Sequence, residues 1–190
     1  QVLDYGADFG VVTFRPDTAA LHSVVVYHDE LAFVVPPSHP LARRAKVSIA
    51  ELARESFVAH HVSSPYRQRV IDTFRKRRVE LRMPVEMPTI DAIKRFVAMG
   101  HGVALLPGIS VEAELRRGEL VRVSVPELAL ERRLRLVMRR YGEPSQAVQA
   151  FLAVVEHHAV TAKGLFDFAW DTGPVAPPSE TPAAHTRGDE

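Results

Sequence analysis

Apolar and polar positions along this chain follow two periods, one of about two residues and one near 3.6, and the two take turns. Val11, Val12, Thr13 and Phe14 form a short β-type run after the turn glycines Gly6 and Gly10. Leu21 to Tyr27 is rich in β-formers, and Asp29-Glu30 reads as a turn. Leu31 to Val35 is wholly apolar, the pattern of a strand covered on both faces as in a parallel sheet. Pro36-Pro37-Ser38-His39-Pro40 ends it.

Helix signals follow. Ser48 with Glu51 three residues later is a capping box ahead of Leu52. Phe57 to Ala59 is a small strand. Ser64 then Pro65 reads as N-cap and first helical position, with Val70, Ile71 and Phe74 at helical spacing and Arg75 to Arg78 closing the helix. Met83 to Met87 is a strand weakened by Pro84. Thr89 is an N-cap with Asp91 in the first turn, Ile93, Phe96 and Val97 as the apolar face, and Gly100 as the stop. Val103 to Pro107 is a buried strand, Ser110 to Arg117 a helix ended by Gly118, and Leu120 to Val125 a strand. Arg132 to Arg139 is a strand, and Ser145 caps a last helix carrying Val148, Phe151, Leu152 and Val155. Strand and helix alternating in this way predict an α/β fold with mainly parallel sheets and helices on their faces.

Composition narrows the function classes. The chain has 190 residues, 46% hydrophobic and 25% charged, enough for one domain or two small lobes. A formal net charge of +1 gives no global electrostatic case for nucleic-acid binding. The chain has no cysteine, which excludes disulfides, thiolate metal sites and cysteine nucleophiles. It has no apolar run long enough to span a membrane, and no basic segment followed by an apolar stretch at its start. A cytoplasmic location is expected. The opening Gln1-Val2-Leu3 reads as the interior of a longer protein. Residues 161–190 are expected to be a disordered tail, because 171–190 is rich in Pro, Thr, Ala and Gly. Phe166, Phe168 and Trp170 are expected to pack on the surface.

Three stretches, in order and spacing, carry a family resemblance. They are Asp8-Phe9-Gly10-Val11-Val12; Asp29-Glu30-Leu31-Ala32-Phe33-Val34-Val35-Pro36 with Ser38-His39-Pro40-Leu41-Ala42; and Thr89-Ile90-Asp91-Ala92-Ile93 through Val97-Ala98-Met99-Gly100-His101-Gly102-Val103-Ala104-Leu105-Leu106-Pro107. Over residues 1 to about 158 the chain resembles the effector-binding region of LysR-type transcriptional regulators. The resemblance implies two Rossmann-like subdomains joined by two crossover strands, a type 2 periplasmic-binding-protein-like fold, with a small effector in the cleft. It places the crossovers at Leu31–Val35 and Leu134–Met138. The first subdomain is then 1–36 plus 133–160, incomplete because its opening strand and helix are lacking, and the second is 37–132. DNA binding would come only through an N-terminal winged helix-turn-helix that this chain does not contain, and a homodimer or higher homo-oligomer is implied. A periplasmic-type solute-binding protein is the alternative, and a truncated product without a working site is a third.

Candidate ligand groups sit at element ends. Ser63 and Ser64 bring hydroxyls and free backbone N–H groups to a helix N-terminus, either as a plain cap or as a site for an anion or carboxylate. Thr89, with Ile90, opens the helix that faces the cleft in the resembling family; its hydroxyl can cap the helix, meet ligand, or both. Thr13 and Phe14 follow a strand's carboxyl end, where ligands of open α/β sheets bind. His60-His61 and His157-His158 are adjacent pairs poorly placed to share one metal ion, and no metal or cofactor is expected. His101 reads as a turn residue. No nucleophile elbow, H-E-x-x-H, P-loop or G-x-G-x-x-G is present, so an enzyme is not expected. Arg75 to Arg78 reads as a solvated helix end rather than a DNA contact.

Overall fold

The computed structural model describes residues 1–141, 144–161 and 170–171. Its strands are β1 (Phe9–Val12), β2 (Leu21–Val35), β3 (Ser56–His60), β4 (Arg82–Met87), β5 (Ala104–Pro107), β6 (Val121–Val123), β7 (Glu131–Arg139) and β8 (Trp170–Asp171). Its α-helices are α1 (Pro65–Lys76), α2 (Ile90–Ala98), α3 (Gly108–Arg117) and α4 (Gln146–Thr161). Ser48 and Glu51 form the expected capping box, but the turns they open, Ile49–Arg54, are 3-10 rather than α.

The chain divides into two compact units, Gln1–Tyr27 with Arg133–Glu190, and His28–Arg132. Strands β2 and β7 are the two covalent links. The lower boundary therefore falls inside β2, whereas the sequence places it after residue 36.

In the unit His28–Arg132, β3 and β4 pair in parallel, and Phe57 bridges Val103 in parallel just ahead of β5. Strand β2 pairs antiparallel with β5 on one side and with β6 on the other, Phe33 standing opposite both Leu105 and Val123. This corrects the expectation of mainly parallel pairing. The alternation β5–α3–β6 does make those two strands parallel to each other, but β2 is inserted between them, and sequence order cannot show an insertion. Pro84 is tolerated because β4 lies at the edge, paired to β3 alone in its sheet.

Both faces of β2 are covered along Leu31–Val35, as that unbroken apolar run requires. Leu31, Phe33 and Val35 point into a core with Leu52, Phe57, Val70, Phe74 and Val103. Ala32 and Val34 point the other way, into a core with Val58, Ile93, Val97, Ala104, Leu106 and Val111. Helix α1 thus covers one face, and α2 with α3 the other. Phe33, Phe57 and Phe74 form a chain of ring contacts, each 5.7 Å between centroids. Gly102 is required where β3 and β5 meet: its φ is +150°, and a Cβ there would stand 2.7 Å from the Ser56 carbonyl.

Asp29-Glu30 is not a turn, because β2 runs through it without a break. The Asp29 side chain is 4% exposed and fully engaged, so turn propensity yields to tertiary partners.

In the other unit, β1 pairs antiparallel with β7, Phe9 opposite Met138. Phe9 stacks on Phe151 of α4 at 4.5 Å, and Ser145 caps that helix at Val148. Strand β8 pairs with β2, Val24 opposite Trp170. The rest of the expected disordered tail, with Phe166 and Phe168, lies outside the described residues.

Candidate functional site

Strands β4, β3 and β5 run the same way, so α1, α2 and α3 all begin at the carboxyl end of one parallel set. Open α/β sheets take ligands at that end. Each helix start presents first-turn N–H groups that have no acceptor within the helix, and the positive end of a peptide dipole.

The three starts are capped differently. Ser64 Oγ accepts the Arg67 N–H at 3.1 Å, and Thr89 Oγ1 accepts the Ala92 N–H at 3.1 Å. Helix α3 has Pro107 at its N-cap, which offers no side-chain acceptor. Its cap arrives from β2 instead, where Asp29 Oδ1 accepts the Ile109 N–H at 3.2 Å.

Charge separates α1 from α2. Helix α2 carries Asp91 in its first turn. The hydrogen bond from Lys94 holds that carboxyl below its ordinary range, so α2 opens with a fixed negative charge. The first turn of α1 has no acid. Arg67 lies in it, donating to the His60 carbonyl at 2.9 Å and pairing with Glu86 of β4. Two further guanidinium groups, Arg69 and Arg132, stand over the Tyr66 ring at 5.8 and 5.3 Å. Three guanidinium groups therefore stand at the start of α1, Arg67 paired with Glu86 and Arg132 with Asp29.

Ser63, Ser64 and Thr89 are exposed at these helix starts. Ile90 is half-buried against the core of Ile93 and Val97, where its side chain packs. Thr13 and Phe14 belong to the other unit and follow β1 in a bend. Because β1 is antiparallel to its partner, the carboxyl-end argument that selected them does not apply.

His60 and His61 do not point to opposite faces: His60 ends β3, His61 lies beyond it, and the rings are 5.0 Å apart. His60 Nδ1 accepts the Val62 N–H and His61 Nδ1 donates to the Met87 carbonyl. Among the described residues no three metal-ligating side chains come together. Also among them, no helix is long and apolar enough to cross a membrane.

Sequence reasoning missed Asp29, Tyr66, Arg67 and Arg132. For Asp29 a signal exists, an acid between two runs of β-formers. For the arginines none does, since their role depends on partners 19 and 103 residues away.

The fold and these helix starts define a small-molecule-binding class of α/β module. Residues 1–160 match the family model described as the LysR substrate binding domain, and the chain belongs to that family. It is similar to the RuBisCO operon transcriptional regulator of Allochromatium vinosum, at 30% identity over 80% of this chain and 50% of that protein. It is 34% identical to the HTH-type transcriptional regulator CbbR of Cereibacter sphaeroides, over 68% of this chain and 42% of that protein. The chain thus spans about half the length of the curated relatives it matches. Among solved structures, the Synechocystis CcmR regulatory domain in complex with 2-PG matches with a TM-score of 0.74 and 25% identity, over 86% of this chain and 77% of that one. The effector-binding domain of QuiR in complex with shikimate matches in fold, with a TM-score of 0.68 at 18% identity over 85% of this chain and 76% of that one. The two-subdomain, periplasmic-binding-protein-like fold expected from the sequence is the fold of this family.

Proposed function

We propose that this effector-binding domain senses a small anion, a phosphate or carboxylate compound, held at the starts of α1 and α2. The three guanidinium groups around the first turn of α1, which lacks an acid of its own, carry this reading. Ser63, Ser64, Thr89 and Ile90, at these two helix starts, supply the hydrogen bonds. The domain acts as a sensor, not a catalyst. In the whole regulator, effector binding shifts the population of two arrangements and so controls a DNA-binding domain elsewhere in the protein, which functions as a homo-oligomer in the cytoplasm.

A thermal-shift and calorimetric screen tests this with 2-PG, inorganic phosphate and small carboxylates. An occupied site raises the melting temperature by mass action. The expected result is a shift with one of these anions that is reduced in Arg67→Gln. Absence of any shift, or a shift unchanged by Arg67→Gln and Ser64→Ala, overturns the reading.

A further inference from the structure

The ion pair between Asp29 of β2 and Arg132 of β7 is closely enclosed, its side chains 4% and 14% exposed, with Arg132 Nη1 donating to Asp29 Oδ2 at 2.8 Å. Stability alone is a weak reason for such a pair, because desolvating two charges offsets most of their attraction. Its placement is more telling. Asp29 and Arg132 lie on the two strands that link the units, each within a residue or two of the division at Tyr27/His28 and Arg132/Arg133. The second Asp29 oxygen caps α3 at Ile109. The Arg132 guanidinium carbon stands over the Tyr66 ring, 5.3 Å from its centre, at the second residue of α1, while Nη1 meets Asp29. One arginine thus stands between the start of α1 and a carboxylate joined to β2 and α3.

We propose that Arg132 is the effector's counter-charge held in reserve: an anion at the start of α1 competes with Asp29 for its guanidinium. This rests on the anion reading above. The exchange carries occupancy at α1 to the linking strands and to α3. Asp29 can give up Arg132 without losing every partner, because its carboxylate still faces the positive end of α3 and the Ile109 N–H. Coupling of this kind is reciprocal: whatever strengthens the Asp29–Arg132 pair weakens anion binding, and whatever frees Arg132 strengthens it.

That reciprocity gives the two partners opposite signs. Asp29→Asn keeps an oxygen to cap Ile109 but releases Arg132; it is expected to lower stability and yet tighten binding of inorganic phosphate and 2-PG. Arg132→Gln is expected to weaken binding, and Arg132→Lys, which keeps the charge but not the guanidinium, to recover part of the loss. Calorimetric titration of the chain with both probes, beside urea denaturation of each variant, reads affinity and stability separately. A merely structural pair predicts that Asp29→Asn and Arg132→Gln both lose affinity along with stability, and that result overturns the proposal. Should Asp29→Asn not fold, Tyr66→Leu removes the ring that seats the guanidinium against α1. Weaker phosphate binding then supports the exchange, and unchanged binding overturns it. A wild-type chain that binds neither probe defeats the anion reading first and this proposal with it, whereas binding that depends on Arg67 but not on Arg132 defeats this proposal alone.

Discussion

A methyl group on Gly108 would stand 2.9 Å from Asp29 Oδ1, closer than a Cβ can approach. The Glu30 carbonyl is 3.0 Å away on the same side. The first residue of α3 is therefore a glycine so that the carboxylate of β2 can reach the Ile109 N–H. Gly108→Ala is expected to push Asp29 off its cap and to lower stability by about 1–3 kcal/mol, the usual range for overpacking. Urea denaturation measures it. A neutral result would mean that α3 does not depend on Asp29 for its start.

Phe74 joins α1 to the core beneath it. The ring is 1% exposed and meets Phe57 edge-on at 5.7 Å. Phe74→Ala is expected to cost about 3–5 kcal/mol, and Phe74→Leu distinctly less because most of the volume is kept. Equal losses for the two variants would show that ring geometry, not filled space, stabilises this contact.

What the sequence made legible was whatever depends on neighbours along the chain. Ser64-Pro65, Thr89 and Ser145 announce helix starts because a cap acts over three residues, and each caps its helix here. The covered faces of β2 could be read from its apolar run. Partner strands could not, because pairing Phe33 with both Leu105 and Val123 joins positions 72 and 90 residues on. The same limit explains the candidate site. The hydroxyl residues at helix starts were visible as caps. The charge at α1 was not, because Arg132 reaches Tyr66 only after β7 returns beside β2. Ile90 shows a second use that sequence does not reveal: its side chain packs beneath α2.

Ser64 and Thr89 each act as a cap, and the proposed function gives both a second use. Ser64→Ala and Thr89→Ala should each cost about 1 kcal/mol of stability from the lost cap. A residue that also holds the anion loses affinity beyond that stability loss; one that only caps does not. Because Asp91 places a negative charge in the first turn of α2, Ser64→Ala is expected to reduce anion affinity more than Thr89→Ala. Calorimetric titration of the two variants with 2-PG or phosphate gives the order. The reverse order would move the anion to α2.

Acid should loosen the contact between α2 and α3, and the charges around Lys94 set the direction. Lys94 Nζ lies 2.9 Å from Asp91 and 3.0 Å from Glu114. Burial pushes the Glu114 carboxyl up, but the hydrogen bond from Lys94 and the charges of Lys94 and Arg117 outweigh it and hold the group below its ordinary value of 4.5. The Lys94 hydrogen bond holds Asp91 below 3.8 in the same way. Asp91, with Glu114, raises Lys94 above 10.5 against the opposing effect of burial. A carboxyl with a depressed folded-state value binds fewer protons folded than unfolded, so its contribution is complete above about pH 4.5 and is lost as pH falls through the folded-state values. The raised lysine works at the other end: its contribution is complete below pH 10.5 and is lost as pH rises through the folded-state value. Lys94→Met removes the shared cation. It should flatten the acid limb of a melting-temperature profile, with the largest difference from wild type near neutrality and the two curves converging in acid. Added salt should erase the part due to Asp91, which is 79% exposed, before the part due to Glu114, which is 13% exposed. Parallel wild-type and Lys94→Met profiles would show that these charges add nothing to the folded state.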